Sequence, residues 1–232
     1  MTTVNANIHE QADAIAIATA KSRTNLSLHH LFAACRFASR IGVLERENAN
    51  QPFGAFWEEI LQNALGVATL SVAAIECYAN ELFFEGAAIS SALNPVAAAV
   101  IAETLDGEPI LRKYSAVLAI RTGKHLVTGI SPVQGADALI KLRNAVVHFR
   151  PEWFGEQDKH EKLSKLLQHK FQTSTFLPNE PVFPRAWASH SFATWALRST
   201  VSFLEHFHNE AGMKNPLAPF KGQLSALSEN AL

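Results

Sequence analysis

The stretch FWEEILQNALGVATLSVAAIECYANELFFE, residues 56–85, decides the fold. Trp57, Leu61, Ala64, Ala68, Ile75, Tyr78 and Leu82 lie on one side at helical spacing. The turn Pro52-Phe53-Gly54 precedes it, so the run predicts one long helix. Working outward towards the N-terminus, Asn25 or Ser27 caps a helix that reaches about Asn48, with Leu28, Leu31, Phe32, Cys35 and Ala38 on its apolar side. Residues 7–21 read as a further short Ala/Ile-rich helix. In the other direction, Asn94-Pro95 starts a helix that ends near Asp106-Gly107, and a second runs from Pro109 to Thr122 and closes at Gly123. Ser131-Pro132 opens a helix that must stop before Pro151. Glu156–Lys170 reads as a polar, exposed helix. The segment 171–184 carries three prolines and reads as an irregular connection, held down by Phe171, Phe176 and Phe183. Arg185–Glu210 is the last helix, with Phe192, Trp195, Ser199, Phe203 and Phe207 as its buried stripe.

Composition agrees with this pattern. The 232 residues include 36 alanines, the residue that loses least on entering a helix, and β-branched residues dominate no window. With 48% hydrophobic residues the chain can bury a sizeable core. The expected architecture is an all-α, up-and-down helical bundle of about seven to eight helices. It forms a single domain over residues 1–211, with 212–232 as a flexible tail.

The formal charge of −1 excludes a globally basic nucleic-acid coat or a polybasic membrane binder. The charge is uneven, however. Between Arg112 and Arg150 there are seven basic residues against one acid, Asp137, so this segment is +6 and the remainder −7. Such a segment is either a solvated face or a local patch that attracts phosphates. Cys35 and Cys77 stand far apart in apolar windows and read as core hydrophobes of a reducing compartment. The N-terminus lacks a basic region followed by an apolar one, and the run from Gly86 to Ala102 is too short and interrupted to span a bilayer. The expectation is a cytoplasmic protein with no membrane partner.

Dinucleotide, P-loop and serine-hydrolase motifs are absent. Glu205-His206-Phe207-His208 holds one Glu-x-x-His, but di-iron bundles need that motif on two helices. It reads as a surface histidine cluster near a helix C-terminus, and no metal or other cofactor is expected. The remaining candidate is Leu142-Arg143-Asn144-Ala145-Val146-Val147-His148-Phe149-Arg150. Ala136, Leu139, Ile140, Leu142, Val146, Val147 and Phe149 make one apolar half, and Asp137, Lys141, Asn144 and His148 the other. Arg143 falls within the apolar half, so it needs a carboxylate partner or opens onto a cleft. Glu76 on the long helix is the expected partner, with Glu81 behind it.

Arg143, the polar Asn144, three further residues and His148 resemble the Arg–four-to-six–His signature of HEPN domains. The run from Ala74 to Phe83 is similar to the Glu-bearing long helix upstream of that motif in several such families, and Lys113-Tyr114 to a Lys-Tyr they often carry. The resemblance covers about residues 55–150. It implies a helical bundle that forms a homodimer and brings two Arg/His pairs into one cleft. Many such proteins are metal-independent endoribonucleases of defence or toxin–antitoxin systems, which implies RNA and a possible cognate antitoxin as partners; others are non-catalytic binding modules. Where toxins paired with nucleotidyltransferase antitoxins carry His-x-Tyr, this chain has Arg150.

The chemistry suits these residue types. Histidine can move the 2′-hydroxyl or leaving-group proton near neutral pH, and arginine offers a charged fork to the phosphate. Arg143 and His148 are the expected catalytic pair, supported by Asn144, Glu76 and Asn80, with Lys141, Arg150 and Lys113 holding the RNA. Residues five apart on one helix point about 140° from each other. That separation favours a site composed from two chains, the alternative being that a break near Pro151 re-aims His148 and makes each subunit self-sufficient.

Overall fold

The structure, a computed structural model, describes residues 25–84, 89, 93–152 and 158–224. Its helices are α1 (Leu26–Glu47), α2 (Phe56–Phe84), α3 (Pro95–Leu105), α4 (Ile110–Thr122), α5 (Ser131–Val147), α6 (Asp158–Leu167) and α7 (His190–Ala211). A π-type turn at Val182–Ala186 and a 3-10 turn at Ala218–Phe220 complete the elements, with no strand among the described residues. The chain is an all-α helical bundle, as the alanine content and the 56–85 periodicity predict. The expected helix at 7–21 lies outside the described residues.

Two helices organise the bundle. α2 packs along α1 and also touches α3, α4, α5 and α7, while α7 touches α1, α4 and α5 as well. Ile60, Ala64, Val67, Ala68, Val72 and Ile75 of α2 are fully buried, and Phe192, Phe203 and Phe207 of α7 face them as the sequence stripe predicts. Between the two, Tyr114 of α4 stacks edge-on to Phe203 and Phe207, and its hydroxyl donates to the Ile75 carbonyl at 2.7 Å. α2 is long and apolar enough to cross a membrane by composition, but half of its most apolar window is buried inside the bundle.

Helix ends show where local signals succeed and where tertiary contacts replace them. Asn94 caps α3 by accepting from the Ala97 N–H, and Gly123 closes α4 with a φ of 71°. Neither Asn25 nor Ser27 caps α1 with its own side chain. Instead the Glu81 carboxylate crosses from α2 to accept from the Ser27 N–H and hydroxyl at 3.1 and 2.7 Å. α7 starts at His190, later than the expected Arg185, because Ser189 is extended and its hydroxyl accepts from the Phe192 N–H. Arg185 lies in the π-type turn, where it pairs with Glu180 and covers the Trp57 ring. The tail expected from residue 212 is docked as far as Leu224: Leu217 and Leu224 are buried and Phe220 meets Phe32 edge-on. Phe183 seals the irregular connection as predicted, with Phe171 and Phe176 half-buried against the core.

Candidate nucleic-acid interface

The C-terminal end of α5 places the candidate residues. α5 ends at Val147, and His148 is its cap, leaving the helix with φ −107° and ψ 36° while its N–H still reaches the Asn144 carbonyl at 2.9 Å. Pro151 prevents the helix from continuing, so Phe149 and Arg150 run on towards α6. There His160 holds the strand of chain in place. Its Nε2 is 3.2 Å from the Arg150 carbonyl oxygen, and its ring stacks on Phe149 and meets Phe183 edge-on.

This return creates an open groove of about 640 Å³ between the end of α5 and α6. Lys141, His148, Arg150, Lys159 and Lys162 line it, and Glu152 is the acid among its lining residues. Among the described residues, four cations therefore face one concavity with a single carboxylate. The Glu152 carboxylate is also turned inward, with one oxygen 3.4 Å from the His160 N–H and 3.8 Å from Nδ1. Lys141 shares a surface pair with Asp137 at 2.7 Å, an interaction worth little in water. Asn144 is exposed one turn before His148 on the same side of α5.

Arg143 goes elsewhere. Its Nη2 lies 3.0 Å from Glu76 Oε2, so the partner expected from the sequence is the observed one. The pair is not buried as expected, however: the Glu76 side chain is 42% exposed and that of Arg143 21%. Arg143 is not among the residues lining the groove, and its Nε is buried without a hydrogen-bond partner among the described residues. Glu81, the second candidate, is committed to the α1 N-terminus.

The structure reassigns two further residues. Lys113, expected to hold RNA, is only 3% exposed, and its ammonium donates to Asn80 Oδ1 at 3.0 Å. A cation enclosed between α4 and α2 cannot reach a phosphate backbone. Asn80 is thereby a buried-lysine acceptor, distant in role from His148. The apolar half of the α5 end is also less buried than expected, since Val147 and Phe149 are 52% and 47% exposed.

The expected surface histidine cluster is corrected at His208, which is 1% exposed. Its Nε2 meets the Tyr78 hydroxyl at 2.6 Å and its Nδ1 the Leu204 carbonyl at 2.6 Å, and burial lowers its pKa from the usual histidine value. The slot beside Tyr78 and Phe207 accepts a ring, which a helical wheel ending at Glu210 does not reveal. Glu205 pairs with Lys221 of the docked tail. Cys35 is buried and its thiol is pushed up to about 11, consistent with a core role.

Sequence reading missed Lys159, His160 and Lys162. Their helix was read as polar and exposed, which holds for the lysines but not for His160, at 7% exposure. The available signal was the i, i+3 spacing of Lys159 and Lys162, which places both on one face of α6. Comparison with family models, with curated proteins and with solved structures finds no match for this chain.

Proposed function

We propose that the chain binds RNA through the groove between α5 and α6, and that His148 acts there on the ribose-phosphate backbone as the HEPN resemblance implies. The observation that carries the reading is the groove lining: Lys141, Arg150, Lys159 and Lys162 around His148, with Glu152 as the one acidic liner among the described residues. Cations in a concavity concentrate a polyanion even on a near-neutral chain. The His148 side chain is exposed at the groove, within reach of a backbone lying in it.

Arg143 is the phosphate fork of the proposed reaction only if a second chain brings it alongside His148, because within one chain it faces Glu76 instead of the groove. The catalytic form is accordingly a homodimer. The 2′-oxygen attacks the adjacent phosphorus and loses its proton to one imidazole. The P–O5′ bond breaks as a second imidazole protonates the leaving oxygen, giving a 2′,3′-cyclic phosphate and a 5′-hydroxyl. The Arg143–Glu76 pair also favours a second reading: a non-catalytic module that uses the groove for binding alone.

The experiment is titration of labelled single-stranded RNA by anisotropy at several salt concentrations, together with gel analysis of products for wild type, Arg143→Ala and His148→Ala. Binding that weakens with salt and cleavage lost in both variants supports the nuclease. Salt-dependent binding without any cleavage favours the module. Absence of RNA binding at 50 mM salt, a condition chosen because backbone contacts are strongest there, overturns both.

A further inference from the structure

A second polar cavity, of about 440 Å³, lies at the opposite end of α5 from His148, where the start of that helix meets α7 and Lys170. Ser131, Gln134, Lys170, Trp195, Arg198 and Ser199 line it, and no carboxylate does among the described residues. Four features make its electrostatics one-sided.

First, α5 begins without a side-chain cap. Ile130 is the cap residue, Pro132 supplies no N–H, and the first turn carries no acid, so the positive end of a 17-residue helix is left uncompensated. Second, two cations, Lys170 and Arg198, line the cavity, and neither forms an ion pair among the described residues. Third, Ser199 is only 8% exposed, lines the cavity, and makes no side-chain hydrogen bond among the described residues. The Oγ atom itself is not sealed from solvent, so the hydroxyl is available to a ligand in the cavity. Fourth, Gly135 lets α5 come close to Ser199 beside the cavity: a Cβ there would lie 3.0 Å from Ser199 Oγ and 3.2 Å from its Cβ.

We propose that this cavity binds a phosphate group, held by Arg198 and Lys170, by the open N-terminus of α5 and by the Ser199 hydroxyl. A tetrahedral dianion matches two unpaired cations, a helix N-terminus and a hydroxyl donor, whereas a neutral ligand would leave both charges unanswered. The volume exceeds what one phosphate fills and falls in the range of small-molecule sites. Trp195, half-buried against Phe171, offers a flat surface beside the cations. The ligand class is a small phosphomonoester or phosphate itself. The inference stands apart from the RNA reading, since the two cavities share none of their lining residues.

The test is calorimetric titration of the full chain with inorganic phosphate, with adenosine 5′-monophosphate and with adenosine. Phosphate and the monophosphate are expected to compete for one site, and adenosine to give no heat. Equal affinities assign the site to the phosphate group alone. Tighter monophosphate binding that Trp195→Ala abolishes assigns it to a ligand carrying a ring. The paired change Lys170→Ala/Arg198→Ala, on exposed and half-exposed side chains, should weaken binding about tenfold or more with an unchanged circular dichroism melt, and Ser199→Ala should weaken it to a lesser degree. The control Lys159→Glu/Lys162→Glu, in the groove, should leave phosphate affinity unaltered. Adenosine binding as well as the monophosphate, no phosphate heat in the millimolar range, or full affinity retained in Lys170→Ala/Arg198→Ala would overturn the proposal. Loss only in the groove variant would move phosphate to the RNA-binding surface and overturn it equally.

Discussion

Arg143 and His148 stand five residues apart on one helix, yet they live in different surroundings. Arg143 is drawn inward to Glu76, near the place where Asn80 and Lys113 join α2 to α4. His148 sits beyond the last regular turn, exposed on a groove of lysines and arginine. The first region is polar chemistry turned to holding helices together; the second is polar chemistry left to solvent. The pair's spacing alone cannot distinguish these roles, because a rotation of 100° per residue sends the two side chains to separate neighbours.

The largest effect should come from the groove. Replacing Lys159 and Lys162 by glutamate turns two of four cations into acids, and RNA affinity should fall about 100-fold at moderate salt. The slope of log affinity against log salt should flatten as well, because fewer phosphates are neutralised. Anisotropy titrations across salt concentrations measure both quantities. An unchanged slope would remove α6 from the interface and leave the comparison with one functional face fewer.

The internal region should respond in stability and not in binding. Asn80→Leu strips the Lys113 ammonium of its acceptor inside the α2–α4 contact, and losing a hydrogen bond to a charged buried group costs about 1.5–3 kcal/mol. Lys113→Met removes the charge together with the need for an acceptor, and should cost less. Urea melts of the two variants check this order. RNA affinity within twofold of wild type, a margin near 0.4 kcal/mol, confirms that Lys113 belongs to the fold.

A third difference concerns pH. Burial lowers the pKa of His208 and of His190, so the unfolded chain, with histidines near 6.5, takes up protons more readily than the folded one. Stability from these groups is fully present above about pH 6.5 and declines as the pH falls through that value towards their folded pKa values. Glu45, raised by burial while it accepts from the His190 N–H, acts in the opposite sense just above the usual carboxylate range. His208→Gln should therefore melt with a shallower decline between pH 7 and 5.5 than wild type. Equal slopes would place the source of the pH dependence elsewhere.

How much of this was legible in the sequence depends on whether a signal is local. The boundaries of α2, α3 and α4 follow from periodicity, Asn94-Pro95 and Gly123, because each is decided within a turn or two of chain. The Arg143–Glu76 pair was also legible, since a guanidinium on an apolar half demands a carboxylate and α2 offers one at the right depth. Lys113 was not: in sequence it is one more cation in a +6 segment, and only the packing of α4 on α2 encloses it. The Glu81 cap on α1, its partners 54 positions apart, has no local signature. His160 was hidden for a related reason. Its burial is created by Phe149 and Phe183, one from each side of its own helix in the chain, and neither marks the other in sequence.

The smallest effect sharpens the comparison most. Had Glu76 and Arg143 been a sealed pair, removing one partner would cost about 3–5 kcal/mol, because the other charge would be stranded in a dry site. The observed pair is joined by one contact at 3.0 Å, and the Glu76 carboxylate is close to half exposed, so water reaches the contact from the Glu76 side. Glu76→Gln keeps the shape and a hydrogen-bonding oxygen and should cost only about 0.5–1 kcal/mol. The loss should shrink further in high salt, since an exposed pair is screened. A chemical melt at two ionic strengths gives both numbers. A cost near the sealed-pair range, insensitive to salt, would show that Arg143 is held as tightly as Lys113 and is unavailable to any second chain. A small, salt-dependent cost leaves the guanidinium on a weak tether, which a phosphate brought by a partner could replace.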